Sequence, residues 1–283
     1  MLLQINSGNY NLYIEKAYEL SQNISFSAFP LFCDGIKTKR DFNRWVLESF
    51  DRDNESIIVL LNDNSDLIGW FHYFINDNQI GLCTLFFDNT DFTVLNDLFQ
   101  FLFDSSPNHL FNFYIPHQNQ KLLNFCLSHG FSCIDEQFVD IFDLKLYQNI
   151  RFSDEIIKID YHNFDLIAEY YNETNISSYL SINELKQRLN DWSFFGFYSN
   201  NRLLGFIGYK LGSSLSEIFI LETNNDLNNI VTESLINAVL SDCSNINSEY
   251  LYFFSDVKEH AVNMNLGFNN LSKAICVSNE QKI

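Results

Sequence analysis

Helical and strand-like periods of hydrophobic residues follow one another along this chain in a set order, and the order occurs twice. Residues 10–22 place Leu12, Ile14, Ala17, Tyr18 and Leu20 near helical spacing, which predicts a first helix. The aromatic segment ISFSAFPLFCDGIK, broken by Pro30 and Gly35, reads as a loop that packs on the core or faces a substrate. Thr38 stands where an N-cap is needed for a second helix with Phe42, Trp45, Val46 and Phe50 on one face. From Ser56 to Asp88 the pattern becomes that of strands. Asn62 to Asp66 and Asn76 to Asn78 interrupt it with residues that tolerate left-handed backbone and form Asx-turns, so three strands in an antiparallel meander are expected. A helix from about Phe92 to Phe103 follows, striped by Leu95, Leu98, Phe99 and Leu102. An aromatic strand from Phe111, an amphipathic helix ending in His129-Gly130-Phe131, and two strands, SCIDEQ and FVDIFDLKLY, close the first half.

The second half replays this sequence of elements. Helices around Asp165 to Tyr171 and Ile182 to Leu189 precede three strands in SFFGFYSNNRLLGFIGYKLGSSLSEIFILET. The stretch SEYLYFFSDVKEHAVNMNLGFN then repeats FNFYIPHQNQKLLNFCLSHGFS, with Gly267 standing 137 residues after Gly130. Ser193 answers Ser56 at the same offset, and Leu235, Ile236 and Val239 answer Leu98, Phe99 and Leu102. A register kept over so many elements indicates a duplicated unit, and its period is too long for a solenoid. Two domains are expected, 1–148 and 149–283, each a twisted, mixed but largely antiparallel sheet flanked by helices, an α+β or mixed α/β class.

Composition narrows the function classes. The net charge of −19 and pI near 4.5 argue against nucleic acid and against an anionic membrane surface. The N-terminus has no basic region before an apolar run, and no run is long enough to span a bilayer, which points to the cytoplasm. Six cysteines, Cys33, Cys83, Cys126, Cys133, Cys243 and Cys276, form no CxxC pair and no Cys/His cluster of zinc spacing, so reduced thiols and no metal are expected. The histidines, among them His72 and His129, form no triad spacing and read as structural.

The element order, the Leu67-Ile68-Gly69-Trp70 and Leu203-Leu204-Gly205-Phe206 segments, and the paired Gly-Phe ends of the fourth helices resemble the GNAT superfamily of N-acetyltransferases. The resemblance covers nearly the whole chain, once per half, so that the protein looks like a tandem GNAT. It implies acyl transfer from acetyl-CoA to an amine of a small molecule or peptide. In that family the pantetheine lies in the splay between the fourth and fifth strands, and the pyrophosphate sits on N–H groups at the start of the third helix, where unpaired donors and the positive dipole end favour an anion. Carried onto the second half, this places Ile220, Leu221, Thr223, Asn228, Asn229, Val231 and Thr232 along the cofactor.

Both halves depart from the family pattern. The segments Asp88 to Asp97 and Glu222 to Ser234 lack its glycines and arginine and carry acids instead. One carboxylate about 5 Å from a phosphate charge costs about 3 kcal/mol at an effective dielectric near 20. Asn228, Asn229 and Thr232 can still supply donors, which makes the second half the better candidate. The Tyr that many members place four residues before the Gly of Gly-Phe is Cys126 in one half and Asn263 in the other. Tyr250 or Tyr252 of the preceding strand could face the same cleft, and Tyr252 is taken as the proton donor. Glu222, at the end of the fourth strand of the second half, is the first choice for general base, with Glu217 as alternate. The competing reading is a degenerate GNAT-like protein that binds a ligand or partner without turnover.

Overall fold

A computed structural model of the protein describes residues 1–76, 78–148, 153–174, 181–212, 214–223 and 228–279. The elements of the first half are β1 (Leu2–Ile5), α1 (Ile14–Ser21), α2 (Lys39–Ser49), β2 (Glu55–Leu61), β3 (Leu67–Asn76), β4 (Gln79–Phe87), α3 (Phe92–Ser105), β5 (Leu110–Pro116), α4 (Gln120–Ser128) and β6 (Ser132–Asp143). Those of the second are β7 (Ile156–Ile159), α5 (Asp165–Thr174), α6 (Ile182–Arg188), β8 (Ser193–Ser199), β9 (Arg202–Lys210), β10 (Leu215–Thr223), α7 (Asn228–Asn245), β11 (Tyr250–Ser255), α8 (Val257–Leu266) and β12 (Asn269–Ser278). The second set repeats the first element for element.

Three details differ from the pattern-based expectation. The first helix is split into a short 3-10 turn, Tyr10–Leu12, and α1. SCIDEQ and FVDIFDLKLY are not two strands, because β6 runs unbroken through the charged Asp135-Glu136 pair before a 3-10 turn at Leu144–Leu146. Edge strand β1, too short to show a period, pairs with β2 from Leu2↔Leu60 to Ile5↔Ile57.

Contacts divide the chain into two compact units, Met1–Gln137 with Ser272–Ile283, and Phe138–Leu271. This is not the division at 148/149, a boundary that borders residues outside the described set. The physical reason is strand pairing. The last strand of each repeat completes the sheet of the other unit: Ala274 to Ser278 of β12 pair antiparallel with β5 in unit 1, and Phe138 to Asp143 of β6 pair antiparallel with β11 in unit 2.

Within each unit the first four strands form an antiparallel meander and the fifth pairs parallel with the fourth. The parallel ladders are short. In unit 1 β4 meets β5 only from Gln79↔Leu110 to Gly81↔Asn112, and in unit 2 β10 meets β11 only from Leu215↔Tyr250 to Ile218↔Phe253. Both fourth strands carry a bulge just past this ladder, at Cys83 and at Phe219. A bulge inserts one residue and sharpens the local twist, which turns the strand end away from its parallel neighbour.

Each sheet buries both faces. In unit 1, Ile58, Phe71, Leu85, Phe111 and Val277 pack under α3 and α4, whereas Ile57, Val59, Trp70 and Phe86 pack under α1 and α2. Unit 2 repeats this with Ile207, Ile218, Leu251 and Phe253 under α7 and α8, and Phe194, Phe206 and Ile220 under α5 and α6. Local signals fix the helix ends. Reciprocal capping boxes start α2 (Thr38 with Asp41), α6 (Ser181 with Glu184) and α8 (Asp256 with Glu259). Gly130 and Gly267 end α4 and α8 at φ of +89° and +93°, and the Phe131 and Phe268 that follow turn into the core. No helix among the described residues is long and apolar enough to cross a membrane.

Candidate functional site

In unit 1 the gap where β4 leaves β5 is filled by the chain itself. The Ala28 N–H donates to the Leu85 carbonyl of β4 and the Phe29 N–H to the Tyr114 carbonyl of β5, both at 2.9 Å, and Ser27 bridges Phe86. A polar brace holds this segment down. Asn119, the N-cap of α4, donates to the Ser27 carbonyl at 3.0 Å, and Asn89 donates to the Ser25 carbonyl at 2.7 Å and to Asn119 Oδ1 at 3.2 Å. The aromatic loop read as either core-packed or substrate-facing is core-packed, with Ala28, Phe29, Leu31 and Phe32 all buried.

Unit 2 has the same divergence of strands with different surroundings. The ladder ends at Ile218↔Phe253, and Phe219 to Thr223 run on beyond it, held on the other side by β9 up to Thr223↔Gly205. Gly205 is needed there: a Cβ would come within 2.7 Å of the Glu222 carbonyl and 2.9 Å of Val231 Cγ1, so the Gly of the Leu-Leu-Gly-Phe segment lets α7 start close against the end of β10. Of the expected cofactor residues, Ile220 and Val231 have buried side chains that belong to the core, which leaves them only backbone atoms to offer a ligand. Leu221 and Thr223 are half-buried, Thr232 is buried with its hydroxyl 3.4 Å from that of Thr223, and Asn229 is exposed on the first turn of α7. Asn228 opens that helix. The loop between β10 and α7, residues 224–227, lies outside the described residues.

Glu222 is half-buried near the end of β10, opposite Phe206. It is close enough to act electrostatically on two groups from different helices. Burial, and then the Glu222 charge, hold the Tyr170 phenol of α5 well above its ordinary range, and Tyr170 is a buried residue whose hydroxyl has no hydrogen-bond partner among the described residues. Burial pushes the Glu259 carboxyl of α8 up to about 8, with the like charges of Asp256, Glu222 and Asp140 adding to it. Tyr252 does not join Glu222. Its register partner on β10 is Glu217, and five residues at roughly 3.3 Å each put Glu222 about 16 Å farther along the strand. The register thus brings together the alternate carboxylate, Glu217, and the expected donor, Tyr252.

The position of the family's Tyr is accounted for in both units. Cys126 is buried and burial drives its thiol far above the ordinary range, so it is a packing residue. Asn263 donates through Nδ2 to Asp140 at 2.8 Å and serves a hub that sequence reasoning missed. Asp140, fully buried on β6, also accepts from Ser255 Oγ at 2.6 Å, from His260 Nδ1 at 2.9 Å and from Asn270 Nδ2 at 3.1 Å. His260 lies flat on Phe138, ring centroids 3.9 Å apart. The donors lie 115 to 130 residues from Asp140 in sequence, so no local motif signals the hub.

No protein-family model and no curated protein matches the sequence. Solved structures do match its fold. A GCN5-related N-acetyltransferase from Sphaerobacter thermophilus superposes with a TM-score of 0.62 at 8% identity, over 89% of this chain and 90% of its own. A tandem GNAT protein from the clavulanic acid biosynthesis pathway superposes with a TM-score of 0.57 at 10% identity, over 100% of this chain and 99% of its own. A GCN5-related glucosamine N-acetyltransferase region of a fungal multi-domain β-N-acetylglucosaminidase gives 0.63 at 10% identity, over 98% of this chain and 38% of that one. The chain has the tandem GNAT fold.

Proposed function

We propose that the protein is an acyl-CoA-dependent N-acyltransferase that works through unit 2, passing an acetyl group from acetyl-CoA to an amine of a small molecule or peptide. The observation that carries this reading is Glu222, placed past the end of the parallel ladder and close enough to Tyr170 and Glu259 to act on both. Acetyl-CoA supplies an activated thioester. The backbone of Ile220, Leu221 and Thr223 along the divergent end of β10, and the first turn of α7 with Asn228, Asn229 and Thr232, would hold it, the helix start offering unpaired N–H donors to its phosphates.

Glu222 and Glu259, the latter with its carboxyl raised by burial, divide the base and acid work. Glu222 takes one proton from the attacking ammonium, the freed amine forms the C–N bond as the C–S bond breaks, and the second proton of the nitrogen is lost to solvent as the amide forms. The departing sulfur needs a proton, and Glu259, held protonated up to about pH 8, stands one helical turn before Asn263 on α8 and supplies it in place of the family's Tyr. Glu217 with Tyr252 is the alternative pair, from the same strands.

Turnover of acetyl-CoA against a panel of amines, followed by release of free thiol, tests this. Glu222→Gln is expected to lower kcat about 100-fold, the lower end for a lost general base, with acetyl-CoA binding retained by calorimetry. An unchanged rate in Glu222→Gln together with a loss in Glu217→Gln moves the base to the alternative pair. A folded protein that takes up no acetyl-CoA supports the second reading, a GNAT-like binding module, which the filled gap of unit 1 and the replaced Tyr in both units favour.

A further inference from the structure

Three chemically different donors meet inside unit 1, away from the strand gap. The carboxylate of Glu55 on β2, the imidazole of His72 on β3 and the thiol of Cys83 on β4 offer ligand atoms that all lie within 4.8 Å of one another. His72 is 1% exposed, Cys83 8%, and the Glu55 side chain 9%. The bulge brings them together. Leu82 packs on the α3 and α4 side, and the extra residue in the ladder between Tyr73↔Leu82 and His72↔Thr84 is Cys83. Leu82 and Leu85 both face that side, so the bulge leaves Cys83 and Thr84 together on the other face, opposite His72 and near Glu55.

The fold itself does not require polar atoms there. In unit 2 the register equivalents of His72 and Cys83 are Gly208 and Phe219, and Trp192 precedes Phe194 as Glu55 precedes Ile57. Trp192 stacks on Phe219 with ring centroids 4.6 Å apart and planes 11° from parallel, over a glycine whose Cβ would meet Phe194 at 2.5 Å. One copy closes this spot with an aromatic stack, and the other places nitrogen, oxygen and sulfur in a low-dielectric interior, where unpaired polar groups cost free energy. The hydrogen bond from His72 Nε2 to Glu55 Oε2 at 2.8 Å satisfies two of the three groups. The Cys83 thiol enters no hydrogen bond among the described residues.

We propose that Glu55, His72 and Cys83 form a binding site for a divalent cation of the zinc class. Mixed nitrogen, oxygen and sulfur donors suit a borderline ion such as Zn2+, with one coordination position left to water. Charge balances: the carboxylate and a thiolate neutralise the ion, the thiol proton is released, and the imidazole proton moves from Nε2 to Nδ1 so that Nε2 can bind. Arg52 Nη1 grips Glu55 Oε1 at 2.6 Å, which leaves Oε2 aimed at the site.

The test is titration of the chelator-treated full chain with Co2+ and then Zn2+. One equivalent of Co2+ is expected to produce a thiolate-to-cobalt charge-transfer band and the visible bands of a four-coordinate ion, both abolished by one equivalent of Zn2+. Cys83→Ser removes the charge-transfer band. A Cys33→Ser/Cys133→Ser background, which removes the two thiols that are not buried, keeps it. Arg52→Met weakens binding about 10- to 100-fold, as loss of a partner that orients a ligand does. A wild-type protein that shows no charge-transfer band with a stoichiometric ion, or a band that survives in folded Cys83→Ser, overturns the site. His72→Gln, checked for folding by circular dichroism, gives an independent reading: binding unchanged from wild type also overturns it.

Discussion

Where the fourth strand leaves the fifth, unit 1 seats its own residues 27–29, whereas unit 2 holds Glu222 within electrostatic reach of Tyr170 and Glu259. One bulge position over, the roles reverse, with unit 1 gathering Glu55, His72 and Cys83 where unit 2 stacks Trp192 on Phe219. Both units keep the bulge, the short parallel ladder and the Gly-Phe helix end. The backbone devices of the fold are thus shared, and the two copies place their polar side chains at different ones of the two positions that the fold makes available. Divergence of strands exposes backbone groups that must find a partner, and a segment of the same chain or a ligand can meet that need.

The comparison can be broken most sharply at Asp140. Asp140→Ala leaves the donors of Ser255, His260, Asn263 and Asn270 without their shared acceptor inside unit 2, and a loss of about 3–5 kcal/mol is expected in denaturant unfolding, as for other buried charged groups that lose a partner. Gly208→Ala forces a Cβ against Phe194 and Ile220 under the aromatic stack and is expected to cost about 1–3 kcal/mol by overpacking, read in the same experiment. In unit 1, Asn119→Ala removes the brace under Ser27 and leaves a buried carbonyl without its donor, for about 1–3 kcal/mol. Amide exchange of Ala28 and Phe29 should quicken more than that of β2. If exchange there is unchanged, the segment is held by packing alone.

The most gradual effect expected is on pH dependence. Glu259 has a carboxyl raised in the folded state to about 8 from an unfolded value of 4.5, so the native state holds a proton that the unfolded state has lost between those limits. Stability then falls as pH rises from 4.5 to about 8 and levels off above, and Glu259→Gln flattens this window. A wild-type curve as flat as that of the variant would place Glu259 in ordinary solvent contact and remove it as the acid of the proposed reaction.

Much of the fold was legible from residue order. Thr38 and its capping box, the striped helices, the Asx-rich turns, the paired Gly-Phe ends and the 137-residue register are local or periodic features, and their physics acts within a few residues. The position of Glu222 near the end of β10 was legible for the same reason. Tyr252 was assigned to the right strand, but its partner depends on register, which pairs it with Glu217. The exchange of β6 and β12 between units was hidden, since a strand's hydrophobic alternation does not say which edge it joins.

The sequence by itself determined a duplicated order of elements, their caps and turns, and an acidic surface without long apolar spans. Only the tertiary structure decided which side chains meet. Asp140 gathers donors more than a hundred residues away, and Glu55, His72 and Cys83 converge across three strands although no two are at ligand spacing in the chain. Spacing rules work along one helix or loop. Sites built across a sheet depend on strand register and on a single bulged residue, and both are fixed by how the whole sheet packs.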